Sequence, residues 1–158
     1  MPFTPFHLGP ALFFGLLLTR YLHFRTFLIA NLIVDIEPFL VLLLGLNYPL
    51  HGFFHSFVGG SLMAIFLTIS MRKWDRERSS SKCIWSASLS GIYLHILFDS
   101  PLYTDIRPFY PYYYNPFYNN GVIAGFDIYL LCVLLFVAGV LIYWYRSGRS
   151  TSLPISSR

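Results

Sequence analysis

Charge is scarce in this chain. Only 11% of its 158 residues are charged, and seven are acidic. A soluble domain carries about 25% charged residues, so a soluble globular protein is excluded. Cysteine is scarcer still. Cys83 and Cys132 are the only two, with no CxxC spacing, which excludes a disulfide framework and a thiolate zinc ribbon; both thiols read as buried and inert. No GxSxG element occurs and neither cysteine lies near a histidine, which argues against serine or cysteine hydrolase chemistry. Internal repeats are absent. The basic clusters come with no RNA- or DNA-binding module, so no nucleic-acid partner is expected.

Apolar residues fill the space that charge leaves. Hydrophobic residues make up 56% of the chain and aromatics 20%. Five apolar segments stand out, at about 8–22, 27–46, 52–71, 84–98 and 122–145. Several approach the roughly 20 residues that span a hydrocarbon core of about 30 Å. The expected fold is all-α: a polytopic transmembrane helical bundle of about five spans. Residues 1–146 form its single domain, and 147–158 a disordered cytoplasmic tail. The first and fourth segments are short for full spans, which places their ends inside protein rather than lipid. The N-terminal MPFTPFHLGPALFFGLLLTR has no basic stretch ahead of its apolar run, so it reads as a retained span and not a signal peptide.

Arg20, Arg25, the five Lys and Arg of RKWDRERSSSK (72–82), Arg146, Arg149 and Arg158 all fall on one side of such a bundle. Arg107 alone falls on the other. The positive-inside rule then gives a multi-pass cell-membrane protein with its N-terminus outside and its C-terminus cytoplasmic. The proline- and tyrosine-rich PLYTDIRPFYPYYYNPFYNN (101–120) cannot form regular helix, and its tyrosines suit the headgroup level. It reads as an outer cap.

The rare polar residues converge under this topology. His7 precedes the first span, the pair His51 and His55 opens the third, and His95 with Asp99 closes the fourth, all at the outer face. Only His23 falls at the inner face, as a solvated interfacial residue. Side chains four apart share one helix face, so HxxxH and HxxxD each offer two ligands side by side. In the second span, ANLIVDIEPFL (30–40) carries Asp35 and Glu37, where an unpaired carboxylate costs about 2.5–3.5 kcal/mol. Pro38 disfavours helical geometry at Glu37 and suits the first turn of a new helix. A break of the second span at 35–38 is expected, turning both carboxylates into the bundle. Asp35 would then lie about 16 Å below Leu46, so the histidines have to reach down to it. Imidazole and carboxylate ligands without thiolate suit one or two divalent ions: zinc first, manganese or iron otherwise.

At these residues the sequence resembles the membrane-bound, metal-dependent hydrolases of bacterial and archaeal inner membranes, the YdjM-like family. That family shows an early histidine, a P-D-x-D-like element, an H-x-G-x-x-H-S-like element and a late H-x-x-x-D before a proline-containing loop. The counterparts here are FHLG (6–9), VDIEP (34–38), HGFFHS (51–56) and HILFDSPLYTDIRPFYP (95–111), covering roughly residues 4–111. Glu37 stands where the family usually has a second aspartate, and Gly52 where some members carry arginine.

The resemblance and the ligand set imply an integral-membrane hydrolase that cleaves a lipid phosphoester at the outer face with metal-activated water. His7, Asp35, His55, His95 and Asp99 are the expected ligands. His51 and Glu37 are further ligands or acid/base groups. Arg107 would clamp a phosphate or pair with Asp105, and Asp127 would support the ligands from behind. Ser56 and Ser100 are expected to cap or back-bond helices. Membrane lipid is solvent and possible substrate, and the oligomeric state stays open. Two rivals stand beside this reading. Intramembrane carboxylates and histidines also mark metal-ion or proton transporters, and a non-catalytic scaffold could carry a structural metal.

Overall fold

Apolar runs punctuated by serine, proline and glycine build six α-helices and one 3₁₀ turn in the computed structural model, which describes residues 4–74, 79–119 and 125–150. The helices are α1 (Thr4–Leu17), α2 (Phe24–Ile33), α3 (Ile36–Leu43), α4 (Phe57–Trp74), α5 (Ser81–Asp99) and α6 (Gly125–Ser150), with the 3₁₀ turn at Phe53–His55. The architecture is all-α, with no strand among the described residues. Among the described residues, two stretches are long and apolar enough to cross a membrane: Phe24–Leu43, which joins α2 and α3, and Asp127–Gly148 within α6.

α1 packs on α6, and α5 lies between α2 and α4. Two glycines set how closely they approach. A Cβ on Gly9 would collide with the Cys132 carbonyl of α6. One on Gly91 would lie 2.7 Å from the Ala30 Cβ and 2.8 Å from the Phe27 carbonyl oxygen of α2. Small residues at such crossings let backbones meet. Ala30, Val34, Ala64, Leu67, Met71, Ile84 and Ile92 fill the centre between α2, α4 and α5.

One end of the bundle is basic. Arg146 donates to the Leu16 carbonyl at 2.7 Å, and the His23 N–H to the Cys83 carbonyl at 3.3 Å. These contacts gather the end of α1, the start of α2, the start of α5 and the end of α6, while Arg72 and Lys73 close α4 at the same end. His23 is only half-buried there, its Nδ1 2.6 Å from the Thr26 hydroxyl.

Boundaries differ from the sequence reading in instructive places. The second helix breaks where expected but slightly earlier, at Val34 and Asp35. Pro38 then falls in the first turn of α3, where its missing N–H costs little. α4 begins at Phe57, not at residue 52, because Gly52 is non-helical (φ −86°, ψ −141°) and Ser56 is extended. His51 and His55 therefore do not share an α-helical face. α6 continues to Ser150, so residues 147–150 belong to the helix and not to a disordered tail; the rest of that tail, 151–158, lies outside the described residues. Residues 101–119 are irregular, as their prolines require. Their Pro108 carbonyl accepts the Phe57 N–H at 2.8 Å, which satisfies the first turn of α4.

Candidate metal centre

The close approach at Gly91 places α2 against the last turns of α5. The Asn31 amide donates to the Gly91 carbonyl at 3.1 Å. One turn further along α5, His95 points Nδ1 at the Asn31 carbonyl oxygen, 2.7 Å away. That carbonyl is available because of the helix break: the Asp35 N–H turns to Leu32 at 3.2 Å rather than to Asn31. A carbonyl only accepts, so Nδ1 carries a proton, and Nε2 is the nitrogen turned to the carboxylates. His95 Nε2 then stands 3.4 Å from Asp35 Oδ1 and 3.3 Å from Asp99 Oδ2.

The other two histidines arrive on the segment after α3. Instead of running straight into α4, residues 44–56 fold back beside α3. Glu37 Oε2 accepts the Phe54 N–H at 3.2 Å and lies 3.2 Å from His55 Nδ1. This return brings His55 to Asp35 and sets His51 against the His55 ring, so no long reach is needed. His51 is fixed in the same manner from the other side: Asp105 lies 3.0 Å from its Nδ1 and accepts its backbone N–H at 3.1 Å, while Tyr103 stacks on its ring at 4.3 Å. Burial acts to raise the Asp105 carboxyl pKa, but the His51 N–H and imidazole outweigh it and hold that pKa below the usual value.

All three imidazoles thus have Nδ1 held by an oxygen, and all three Nε2 atoms are buried without a hydrogen bond. Both oxygens of Asp35 and of Asp99 share that condition. Seven buried polar atoms without partners are costly unless a common partner satisfies them. Asp35, His55, His95 and Asp99 each offer one ligand atom, all within 4.8 Å of one another. Donors bound at about 2.0–2.1 Å to a tetrahedral ion stand about 3.3 Å apart, and the His95–carboxylate separations match this. An oxygen behind each ligating imidazole is also the arrangement that metal sites use to fix the tautomer. This buried cluster can hold a metal ion.

The remaining expected site residues are placed differently. His7 stands behind the group: its Nε2 is 3.0 Å from Asp99 Oδ1, and its ring stacks on His95 at 4.0 Å. Glu37 Oε2 faces His55 Nδ1 at 3.2 Å. Arg107 lays its guanidinium 4.0 Å over the Tyr113 ring, and Asp105, its expected partner, is engaged by His51. Asp127 is exposed at the start of α6 rather than packed behind the ligands. Ser56 donates to the Phe53 carbonyl at 2.7 Å and accepts the Gly59 N–H at 3.0 Å, and Ser100 back-bonds Ile96 at 2.6 Å. Both are structural. Cys132 is buried, Cys83 is half-buried, and both thiols are free.

Two contributors escaped the sequence reading. Asp105 entered it only as a partner for Arg107. Asn31 did not enter it at all, although it stands four residues before Asp35 and so on the same helix face. Comparison of the chain with protein-family models, curated proteins and solved structures finds no match.

Proposed function

We propose that this chain is an integral-membrane, metal-dependent hydrolase that cleaves a phosphoester of a lipid or lipid-like molecule. In this reading the helices form a five-span bundle, N-terminus out and C-terminus in, of the kind the inner-membrane hydrolase family implies. The observation that supports it is the convergence of two buried Nε2 atoms, of His55 and His95, and two buried carboxylates, each without a hydrogen bond, at one end of an apolar bundle. Asp35, His55, His95 and Asp99 would hold a divalent ion, zinc, manganese or iron. Such an ion supplies Lewis acidity at a phosphoryl oxygen and lowers the pKa of water to about 7.

The protein groups have separate tasks in this scheme. Asn31 and Glu37 fix the tautomers of His95 and His55. His7 orients Asp99. His51 lies against His55, with ring centroids 4.8 Å apart, and its free Nε2 is the group placed to take or return a proton. Asp105 holds that ring in place through its Nδ1 and backbone N–H. Arg107, stacked on Tyr113 in the cap, would have to leave that ring to meet a phosphate.

A second reading has one observation in its favour. Four fully buried ligands resemble a closed structural site, which a non-catalytic scaffold would need. Metal-ion or proton transport fits less well, because Ala64, Leu67, Met71 and Ile84 fill the interior towards the basic end. Hydrolysis of a lipid phosphomonoester or phosphodiester by the purified protein decides among them. The expected result is turnover that requires a divalent ion and is abolished by Asp99→Asn. Metal retention without turnover would support the scaffold, and ion flux in liposomes without turnover the transporter.

A further inference from the structure

On the flank of Glu37 away from the cluster, α3 and α4 diverge around a cleft of about 620 Å³. Ile33, Leu40, Val41, Leu62 and Phe66 are among its walls, and among the described residues the side chains that bring oxygen or nitrogen atoms to it are Glu37 and Tyr48. Both polar groups sit at one corner. Glu37 accepts the Phe54 N–H, and the Tyr48 hydroxyl accepts the Phe53 N–H at 3.3 Å. From that corner the apolar walls run on: Ile33 lies one turn before Glu37, and Phe66 one turn beyond Leu62, about 6 Å per turn of four residues. Leu62 and Phe66 are more than half exposed at the rim, so the cleft opens sideways from the bundle.

Its size lies in the range of small-molecule sites, but its walls exclude most small molecules. A sugar, nucleotide or peptide would bury polar groups there without partners. An alkyl chain has none to satisfy. The corner is also continuous with the metal centre, since the same Glu37 carboxylate lies 3.2 Å from His55 Nδ1. We propose that the α3–α4 cleft seats one acyl chain of the substrate lipid, with the polar end of the lipid at the Glu37–Tyr48 corner beside the metal cluster. This rests on the lipid-hydrolase reading above. Lipid tails are as apolar as leucine, so the cleft gains little hydrophobic energy over the bilayer. What it supplies is position: a seated chain confines its headgroup to the neighbourhood of the cluster.

The test uses the full chain in phosphatidylcholine vesicles with a trace of phosphatidic acid carrying a diazirine on one acyl chain. After irradiation the labelled residues are mapped by mass spectrometry. Label should concentrate on Leu62, Met63 and Phe66 over Leu134 and Leu141, which are exposed on α6 and report bulk lipid. Leu62→Trp, at a rim position outside the core, should remove the cleft label while leaving metal content unchanged. Equal labelling of the cleft and the α6 face would overturn the assignment. The two proposals fail separately. Divalent-dependent hydrolysis with uniform labelling sinks the cleft alone, whereas cleft labelling with no hydrolysis of any phosphoester sinks the hydrolase and leaves a lipid-binding cleft.

Discussion

At the scale of single residues, the decisive atoms are the Nδ1 nitrogens. The imidazoles of His51, His55 and His95 are held on that side by an oxygen of Asp105, Glu37 and Asn31 respectively, which leaves the opposite nitrogen free to ligate or to carry a proton. Metal content should therefore fall sharply in His55→Ala and His95→Ala, and stay unchanged in His23→Ala at the basic end, as read by elemental analysis of purified protein. Equal metal in all three would remove the site. Asp105 is expected to act through His51 alone. Asp105→Ala should leave metal content intact and lower turnover on the order of 10–100-fold, with Asp105→Glu restoring part of it. The carboxyl pKa of Asp105 is held below its ordinary value. Its anchoring of His51 is therefore complete above the unfolded carboxylate pKa of about 3.9 and is lost only as pH falls through the lower folded value. A pH profile rising between about 6 and 8 should accordingly survive in Asp105→Glu, because that rise does not come from the anchor.

At the scale of elements, two local failures of helix build the site. The break at Val34 and Asp35 frees the Asn31 carbonyl for His95, and the return of residues 44–56 carries His55 to Asp35 with His51 beside it. The first of these depends on α2 and α5 meeting at Gly91. Gly91→Ala puts a methyl against Ala30 and the Phe27 carbonyl, so the helices must separate. The expected cost is about 1–3 kcal/mol of stability, with weakened metal retention because Asn31 and Asp35 move together. Gly148→Ala, where an added Cβ meets nothing within 4 Å, should change neither quantity. Chemical denaturation and metal titration of the two variants would check this, and equal behaviour of both would show that the α2–α5 spacing does not set the site.

At the scale of the whole molecule, polarity is divided between the two ends. Arg72, Lys73 and Arg146 sit at one end, and the histidine–carboxylate cluster sits at the other beneath the irregular segment 101–119. Under the proposed orientation the basic end faces the cytoplasm. A cysteine introduced at Tyr113, which is 78% exposed, should react with an impermeant thiol reagent added outside intact cells. One placed at Ser80, in the loop before α5, should react only after permeabilisation. The opposite pattern would place the cluster, and any substrate, on the cytoplasmic side.

The sequence by itself determined the composition-level facts and several elements. Apolar runs with few charges specified helices, Asp35 and Glu37 ahead of Pro38 announced a break, and prolines ruled out helix in 101–119. It also named all four residues of the buried cluster, because ligand-type side chains are so rare in a chain this apolar that each one stands out. Tertiary structure alone decided how they meet. The spacing of His51 and His55 suggested one helical face, yet Gly52 and the extended Ser56 place them on a return loop. No local pattern encodes that fold-back, because it is stabilised by contacts distant in sequence: Glu37 with Phe54 and His55, Asp105 with His51 and Pro108 with Phe57. The same holds for the roles of His7, Glu37 and Asp105. Residue type marks a group as able to bind a metal or carry a proton. Only the three-dimensional neighbourhood decides whether it does so directly or instead holds the group that does.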